Sequence, residues 1–313
     1  STDRSREALF QTLYGGRNPA AAEQPFYSFD HRGVRFISLY SHESLHADPR
    51  WGVTFQARIS ERQRQWLEEA LAATPTPRAT VVFLHQPLWY NWAAWAPVHA
   101  VLAENGVDLV VGGHFHYGQD EGTLDGVRYI VVGATGGMTK AGSPNAGDRH
   151  HVTVIDIGAN HLNILVVPLS PEAEPAVLPA RRNMDRVQAV SSMLWSAMGR
   201  GTVAEGACLG VLLLGNPIDL PLTLSVLNSG PAADGRFAND LCSGGAQPCQ
   251  LQPGRGVMSS NLSSVALAPR ADAAWVASDP LAREITIVAE FDSAGQTFRL
   301  EHQMNLTQVA CAQ

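Results

Sequence analysis

Apolar residues fall along this chain in two rhythms. In its first half they come as short continuous runs. Val81-Val82-Phe83-Leu84 and Val107-Asp108-Leu109-Val110-Val111 are β-branched and apolar, and each runs into histidine, proline or glycine. Such runs predict buried strands. Between them, Pro97 to Glu104 is expected to form a short helix, with Pro97 in its first turn and Gly106 just past its end. Strand, helix, strand implies a parallel pair joined by a right-handed crossover. Further on, Ser170 to Pro179 is proline-rich and reads as a linker. Then the spacing changes: Met184, Val187, Val190, Met193, Leu194 and Met198 recur at helical intervals. Their stripe is expected to dock on the first domain. From Val203 onward the pattern is β, with strands at Leu209–Leu214, Leu222–Val226, Ser264–Leu267, Glu284–Phe291 and Phe298–Leu300 between Gly, Pro, Asn and Asp turns. The expected domains are 1–169, a linker and helix over 170–202, and a small β-sandwich-like domain over 203–313.

The two strand runs end in chemistry. His85 closes the first, and Gly112-Gly113-His114-Phe115-His116 follows the second. Parallel neighbours bring their C-terminal ends to one edge, where ligands gather in open α/β sheets. His85, His114 and His116 are therefore expected to converge, and neutral imidazole is the commonest side-chain metal ligand. Alternate residues of an extended segment point opposite ways, so His114 and His116 would serve two metals or two sides of one site. The plainer readings are two loop histidines without a ligand role and His85 as a hydrogen-bonded core residue. Trp89, Tyr90, Trp92 and Trp95 follow His85 in an expected loop. They suit either an aromatic wall for a stacked leaving group or packing of the loop onto its neighbours. His42 and His46 read as solvated loop residues, and His150-His151, opening the strand Val152–Asp156, as structural or surface.

In this order and spacing, Leu84-His85-Gln86-Pro87-Leu88 followed by Asp108-Leu109-Val110-Val111-Gly112-Gly113-His114-Phe115-His116-Tyr117 resembles the second half of the calcineurin-like metallophosphoesterases, the group that includes purple acid phosphatases. Phe26–Asp30 and Gly33–Leu39 look like that family's paired strands. Gln63-Arg64-Gln65-Trp66-Leu67 looks like its Q-x-x-W-L helix, and Gly126–Ala134 with Gly136-Gly137 like its following strand and glycine turn. The resemblance runs from about Phe26 to about Leu169. It implies an α/β fold, an α+β sandwich of the metallophosphoesterase type, N-terminally incomplete and followed by the all-β domain. It also implies His85 and His114 as ligands to one metal and His116 to a second, with Trp89, Tyr90 and Tyr117 beside the substrate. The implied cofactors are two divalent or trivalent ions (Fe, Mn or Zn). Their shared hydroxide would attack a small phosphoester substrate.

The resemblance is incomplete. The family's D-x-H, G-D-x-x-D and G-N-H-D/E motifs do not occur before Phe26. With them go the bridging aspartate and the histidine acid, so no catalytic acid is identifiable. Gly118-Gln119 also replaces the Glu-Arg usual in purple acid phosphatases. The expected missing partner is an N-terminal segment of the same protein. The alternative is a degenerate, non-catalytic scaffold with a binding or structural role.

Composition narrows the setting. Charged residues make up 16% of the chain, the net charge is −7, and Lys140 is the only lysine. A basic nucleic-acid surface is therefore not expected, and the arginine bias suits a GC-rich bacterial genome. No run of about 20 apolar residues offers a membrane span. All four cysteines, Cys208, Cys242, Cys249 and Cys311, lie in the β region. Disulfides Cys242–Cys249 and Cys208–Cys311 are expected, and with them a secreted or periplasmic location; a structural zinc is the alternative.

Overall fold

The computed structural model describes residues 25–41, 44–48, 52–139, 143–159, 161–170, 174, 176–197, 199–204, 207–228, 236–238, 263–267, 272–277 and 284–305. The chain divides into two units, Ser1–Lys140 with Gly147–Arg181 and Ala141–Ala146 with Arg182–Gln313.

In the first unit the strands are β1 (Tyr27–His31), β2 (Val34–Ser38), β3 (Ser44–Asp48), β4 (Gly52–Gln56), β5 (Ala79–Phe83), β6 (Leu109–Gly112), β7 (Gln119–Leu124), β8 (Val127–Val131), β9 (His151–Ile157) and β10 (Leu162–Pro168). Six of them form one sheet in the order β1-β2-β5-β6-β8-β7. Strands β2, β5, β6 and β8 are parallel, and β1 and β7 close the edges antiparallel. The expected parallel pair is thus β5 and β6, with Val81 opposite Leu109 and Phe83 opposite Val111. Their continuous apolar runs are explained by burial on both faces. Val82, Val110 and Val131 face one core, shared with the helices, while Val81, Leu109 and Ile130 face another, capped by Ile164 and Val166 of β10. Strands β9 and β10 pair as a two-stranded sheet, as do β3 and β4.

Two helices cover the first face. Helix α1 (Glu61–Ala72) begins at Ser60, whose hydroxyl accepts the Gln63 N–H. Gln63 is fully buried, and its amide pairs with the backbone of Tyr40, accepting from the N–H at 2.7 Å and donating to the carbonyl at 3.0 Å. At the other end, Arg35 donates to the carbonyls of Ala70, Leu71, Ala73 and Pro75, and in a bidentate pair to Asp30. Its cation thereby satisfies the orphan carbonyls of the helix C-terminus.

Helix α2 spans Trp92–Glu104, so it starts five residues before the expected Pro97. Burying Trp95 with Val98, Val101 and Leu102 draws the upstream residues into the helix. Proline is tolerated there because the carbonyl it leaves unserved, that of Ala93, lies in the first turn, where water can reach it. A 3₁₀ turn, Leu88–Tyr90, precedes the helix. The four aromatic residues after His85 therefore stand on a turn and a helix, not in a loop. A polar chain fastens α2 to β8: Trp95 Nε1–H donates to the Tyr129 hydroxyl, which donates to His99 Nδ1, while His99 Nε2–H donates to Asp125.

The second unit contains helix α3 (Arg181–Ser196, its first residue in the first unit) and strands β11 (Gly199–Ala204), β12 (Ala207–Gly215), β13 (Leu222–Asn228), β14 (Arg236–Ala238), β15 (Ser263–Leu267), β16 (Asp272–Ala277), β17 (Glu284–Ser293) and β18 (Gln296–Asn305). These make two four-stranded antiparallel sheets, β11-β12-β16-β14 and β15-β13-β17-β18. The fold is thus an α/β portion followed by a β domain, as expected. Helix α3 buries Met184, Val187, Val190 and Leu194. Its Arg186 makes a bidentate pair with Asp219 and donates to Ser293 Oγ, bonds that tie the helix to its own unit. Cys242, Cys249, Cys311 and His42 lie outside the described residues, and Cys208 and His46 are described in backbone only. Among the described residues no helix is long and apolar enough to cross a membrane.

Candidate functional site

The backbone of the parallel pair continues past both strand ends. Leu84 N–H donates to the Val111 carbonyl at 3.0 Å, and Gly113 N–H to the His85 carbonyl at 2.9 Å. This ladder sets His85 beside Gly113, so that the next residue, His114, is its neighbour. The two imidazoles meet edge to face, with centroids 5.2 Å apart and planes at 76°. Gly112 makes this possible. A Cβ there would lie 2.7 Å from Cη2 of Trp89 and 3.2 Å from Cβ of Pro87, inside the space those rings fill.

Beyond Gly113 the chain is not extended. Phe115 N–H donates to the Gly113 carbonyl at 2.8 Å, closing a three-residue turn around His114, whose φ is +70°. His116 also sits at positive φ, +67°. Such turns are rare and strained for a side-chain-bearing residue. The alternation expected of an H-x-H strand therefore does not set the ring directions here; two left-handed kinks do. His116 is brought against the loop after β8, where its Nδ1 donates to the Met138 carbonyl at 2.9 Å. A carbonyl only accepts, so the proton is on Nδ1 and the lone pair on Nε2.

The aromatic residues, open to either a wall or a packing role, differ in burial. Trp89 is buried and packs on Trp95 and Tyr129. Tyr117 is buried and stacks on Phe115. Tyr90 stays 39% exposed. Its ring meets Phe115 edge to face at 4.9 Å and carries the Arg181 guanidinium over it at 4.1 Å. Its hydroxyl donates to Glu121 at 2.9 Å and accepts from Gln119, and Arg181 pairs with Glu121 at 3.2 Å. Burial, then the Glu121 charge, holds the Tyr90 phenol well above its ordinary range. Glu121 and Arg181 were not singled out by sequence reasoning; Glu121 lies on β7, a polar edge strand with no apolar alternation.

His151, expected to be structural, is 2% exposed. Its Nδ1–H donates to the Arg149 carbonyl and its Nε2 accepts the Gly133 N–H. The ring fills space that Gly118 and Gly133 leave open, since a Cβ at either would lie 2.7 or 2.3 Å from its Cε1. Burial lowers its pKa and keeps it neutral.

Residues 7–118 match the family model of the calcineurin-like phosphoesterases. Over that segment the chain is similar to the metallophosphoesterase superfamily. The matched phosphoesterase segment contains His85, His114, His116 and Tyr117; it starts earlier and stops earlier than the 26–169 stretch of the sequence resemblance. Two solved structures are similar. GAP50, the anchor in the inner membrane complex of Plasmodium, matches over 52% of this chain and 58% of its own, at 16% identity and a TM-score of 0.33. A dimetal phosphatase from Danio rerio matches over 53% of this chain and 66% of its own, at 16% identity and a TM-score of 0.36. The match thus spans less than two thirds of either structure's length. No curated protein sequence matches the chain.

The matched family model is one of phosphoesterases, and the sequence resemblance implies a centre of two metal ions. Two facing imidazoles at adjoining strand ends, with a third presenting an Nε2 lone pair, fit the nitrogen side of such a centre. Among the described residues no three His, Cys, Asp or Glu side chains gather closely enough to hold an ion by themselves. The carboxylate side is thus not found among the described residues.

Proposed function

We propose that this chain carries part of a metal-dependent phosphoester hydrolase, with His85 and His114 as nitrogen ligands to one ion and His116 to the other. The observation that carries the reading is the 5.2 Å pairing of His85 and His114 at the ends of neighbouring parallel strands, inside the family-matched segment. Bound divalent ions would acidify a shared water and offset charge on the phosphoryl group. The protein's part is positioning. The β5–β6 ladder fixes His85 and His114, and the Met138 carbonyl fixes the tautomer of His116. Completion of the ion cage by an N-terminal segment of the same protein, bearing the carboxylates, belongs to the same proposal.

Metal content and hydrolysis of a chromogenic phosphoester test it, in the chain and in His114→Ala. Removing a direct ligand is expected to weaken metal binding by more than the roughly 10–100-fold lost with an outer-shell partner. Hydrolysis falls with it. Activity and metal content unchanged in His114→Ala would remove the assignment.

A further inference from the structure

We propose that His150 is a positioning residue for His116, acting through the turn Gly136–Met138. The inference rests on the reading of His116 as a metal ligand. Two histidines from different segments hold consecutive carbonyls of this turn. His150 Nε2 donates to the Gly137 carbonyl at 2.9 Å, and His116 Nδ1 donates to the Met138 carbonyl at 2.9 Å. Gly137 lies at φ +93°, a conformation that suits glycine, and a Cβ there would meet His116 Cε1 at 3.5 Å. The turn therefore directs one carbonyl to each histidine while passing close to the His116 ring.

Among the described residues, those of the turn are open to solvent. Residues 135–139 are exposed, and Met138 is 79% exposed. His116 is not fixed by regular structure either, because its own backbone is at positive φ. His150, in contrast, sits on a rigid frame. Its carbonyl accepts the Leu169 N–H at 3.0 Å, and the next residue, buried His151, donates its N–H to the Ala134 carbonyl at 3.1 Å. Rigidity passes from that frame through His150 Nε2–H to Gly137, and from Met138 to His116. The consequence is chemical: with Nδ1–H engaged, His116 presents its lone pair on Nε2, the arrangement by which outer-shell acceptors orient metal-bound imidazoles.

The experiment uses the full chain labelled with ¹⁵N-histidine. Long-range ¹H–¹⁵N correlation reads each ring's tautomer, and titration with Zn²⁺ alone reads affinity. In the wild type, His116 is protonated at Nδ1. In His150→Ala it becomes a mixture of tautomers, and zinc affinity falls about 10–100-fold. His150→Gln, whose side-chain amide can donate to the same carbonyl, restores both. His150→Leu, close in volume but without a donor, behaves as His150→Ala and serves if the alanine variant does not fold. An Nε2-protonated His116 in the wild type, or a single Nδ1–H tautomer surviving in both variants that lack the donor, overturns the proposal. If the wild type binds no zinc, the affinity arm falls away and the tautomer spectra alone decide the role of His150.

Discussion

Two adjacent glycines before His114 do different jobs. At Gly112 an added Cβ would press on the Trp89 indole at 2.7 Å, and that ring is wedged between Trp95 and Tyr129. At Gly113 the nearest atom would be the His85 carbonyl oxygen at 3.7 Å, an ordinary contact. Overpacking of this kind costs about 1–3 kcal/mol. Gly112→Ala is therefore expected to lower unfolding stability by about that amount, and Gly113→Ala to change it by less than about 0.5 kcal/mol. Trp89→Phe on the Gly112→Ala background should recover part of the loss by freeing the second ring's volume. Urea unfolding of the four proteins checks this, and equal losses at the two glycines would contradict it. The same stretch shows where sequence reading stops. Histidines at strand ends are legible from the apolar runs before them. The direction of His116 is not, because it follows from positive φ at His114 and His116, which no residue pattern there signals.

Helix α1 is secured at its two ends by side chains from outside its apolar stripe. Gln63 caps the backbone of Tyr40 from a fully buried position, and Arg35 collects four carbonyls at the helix C-terminus. Gln63→Leu strands a donor and an acceptor of Tyr40, at roughly 1–3 kcal/mol per unsatisfied group. An overall loss of about 2–4 kcal/mol is expected, against less than about 0.5 kcal/mol for Gln65→Leu on the exposed side. Denaturant midpoints of the two variants separate this from a general intolerance of the helix. The elements that the apolar pattern revealed, β5, β6 and α3, are those whose apolar residues face one core or two; α1 was read from the family resemblance. Those it missed depend on turns. Strand β7 is polar and exists because Asp125 and Gly126, at φ +47° and +85°, close a two-residue hairpin onto β8. The same device joins β1 to β2 at Arg32-Gly33 and β17 to β18 at Ala294-Gly295. The Asp-Gly pair was the readable signal for β7. The early start of α2 had none, since it depends on where Trp95 finds its pocket.

His151 joins three separated stretches of the first unit: the Gly118 backbone after the histidine motif, Gly133 after β8, and β9, which it opens. Its protonation state therefore bears on the stability of the whole fold. Buried and neutral, it donates from Nδ1 to Arg149 and accepts at Nε2 from the Gly133 N–H. Burial keeps the ring from water and disfavours its charged form, which is why its pKa is lowered from 6.5; a second proton on Nε2 would also set donor against donor. The unfolded chain protonates at the ordinary value. Between the two pKa values the unfolded state holds the extra proton, so stability rises with pH in that window. This contribution is fully present above about pH 6.5, is lost as pH falls below it, and is gone once pH is below the folded value. One proton corresponds to a slope of at most about 1.4 kcal/mol per pH unit. His151→Gln keeps an amide donor and acceptor but does not titrate. It should be less stable at pH 7.5, and its unfolding free energy should fall less steeply than the wild type's as pH drops to 5.5. The difference in slope isolates His151 from the chain's other histidines, and parallel curves for the two proteins would show that the fold does not depend on a neutral ring at this position.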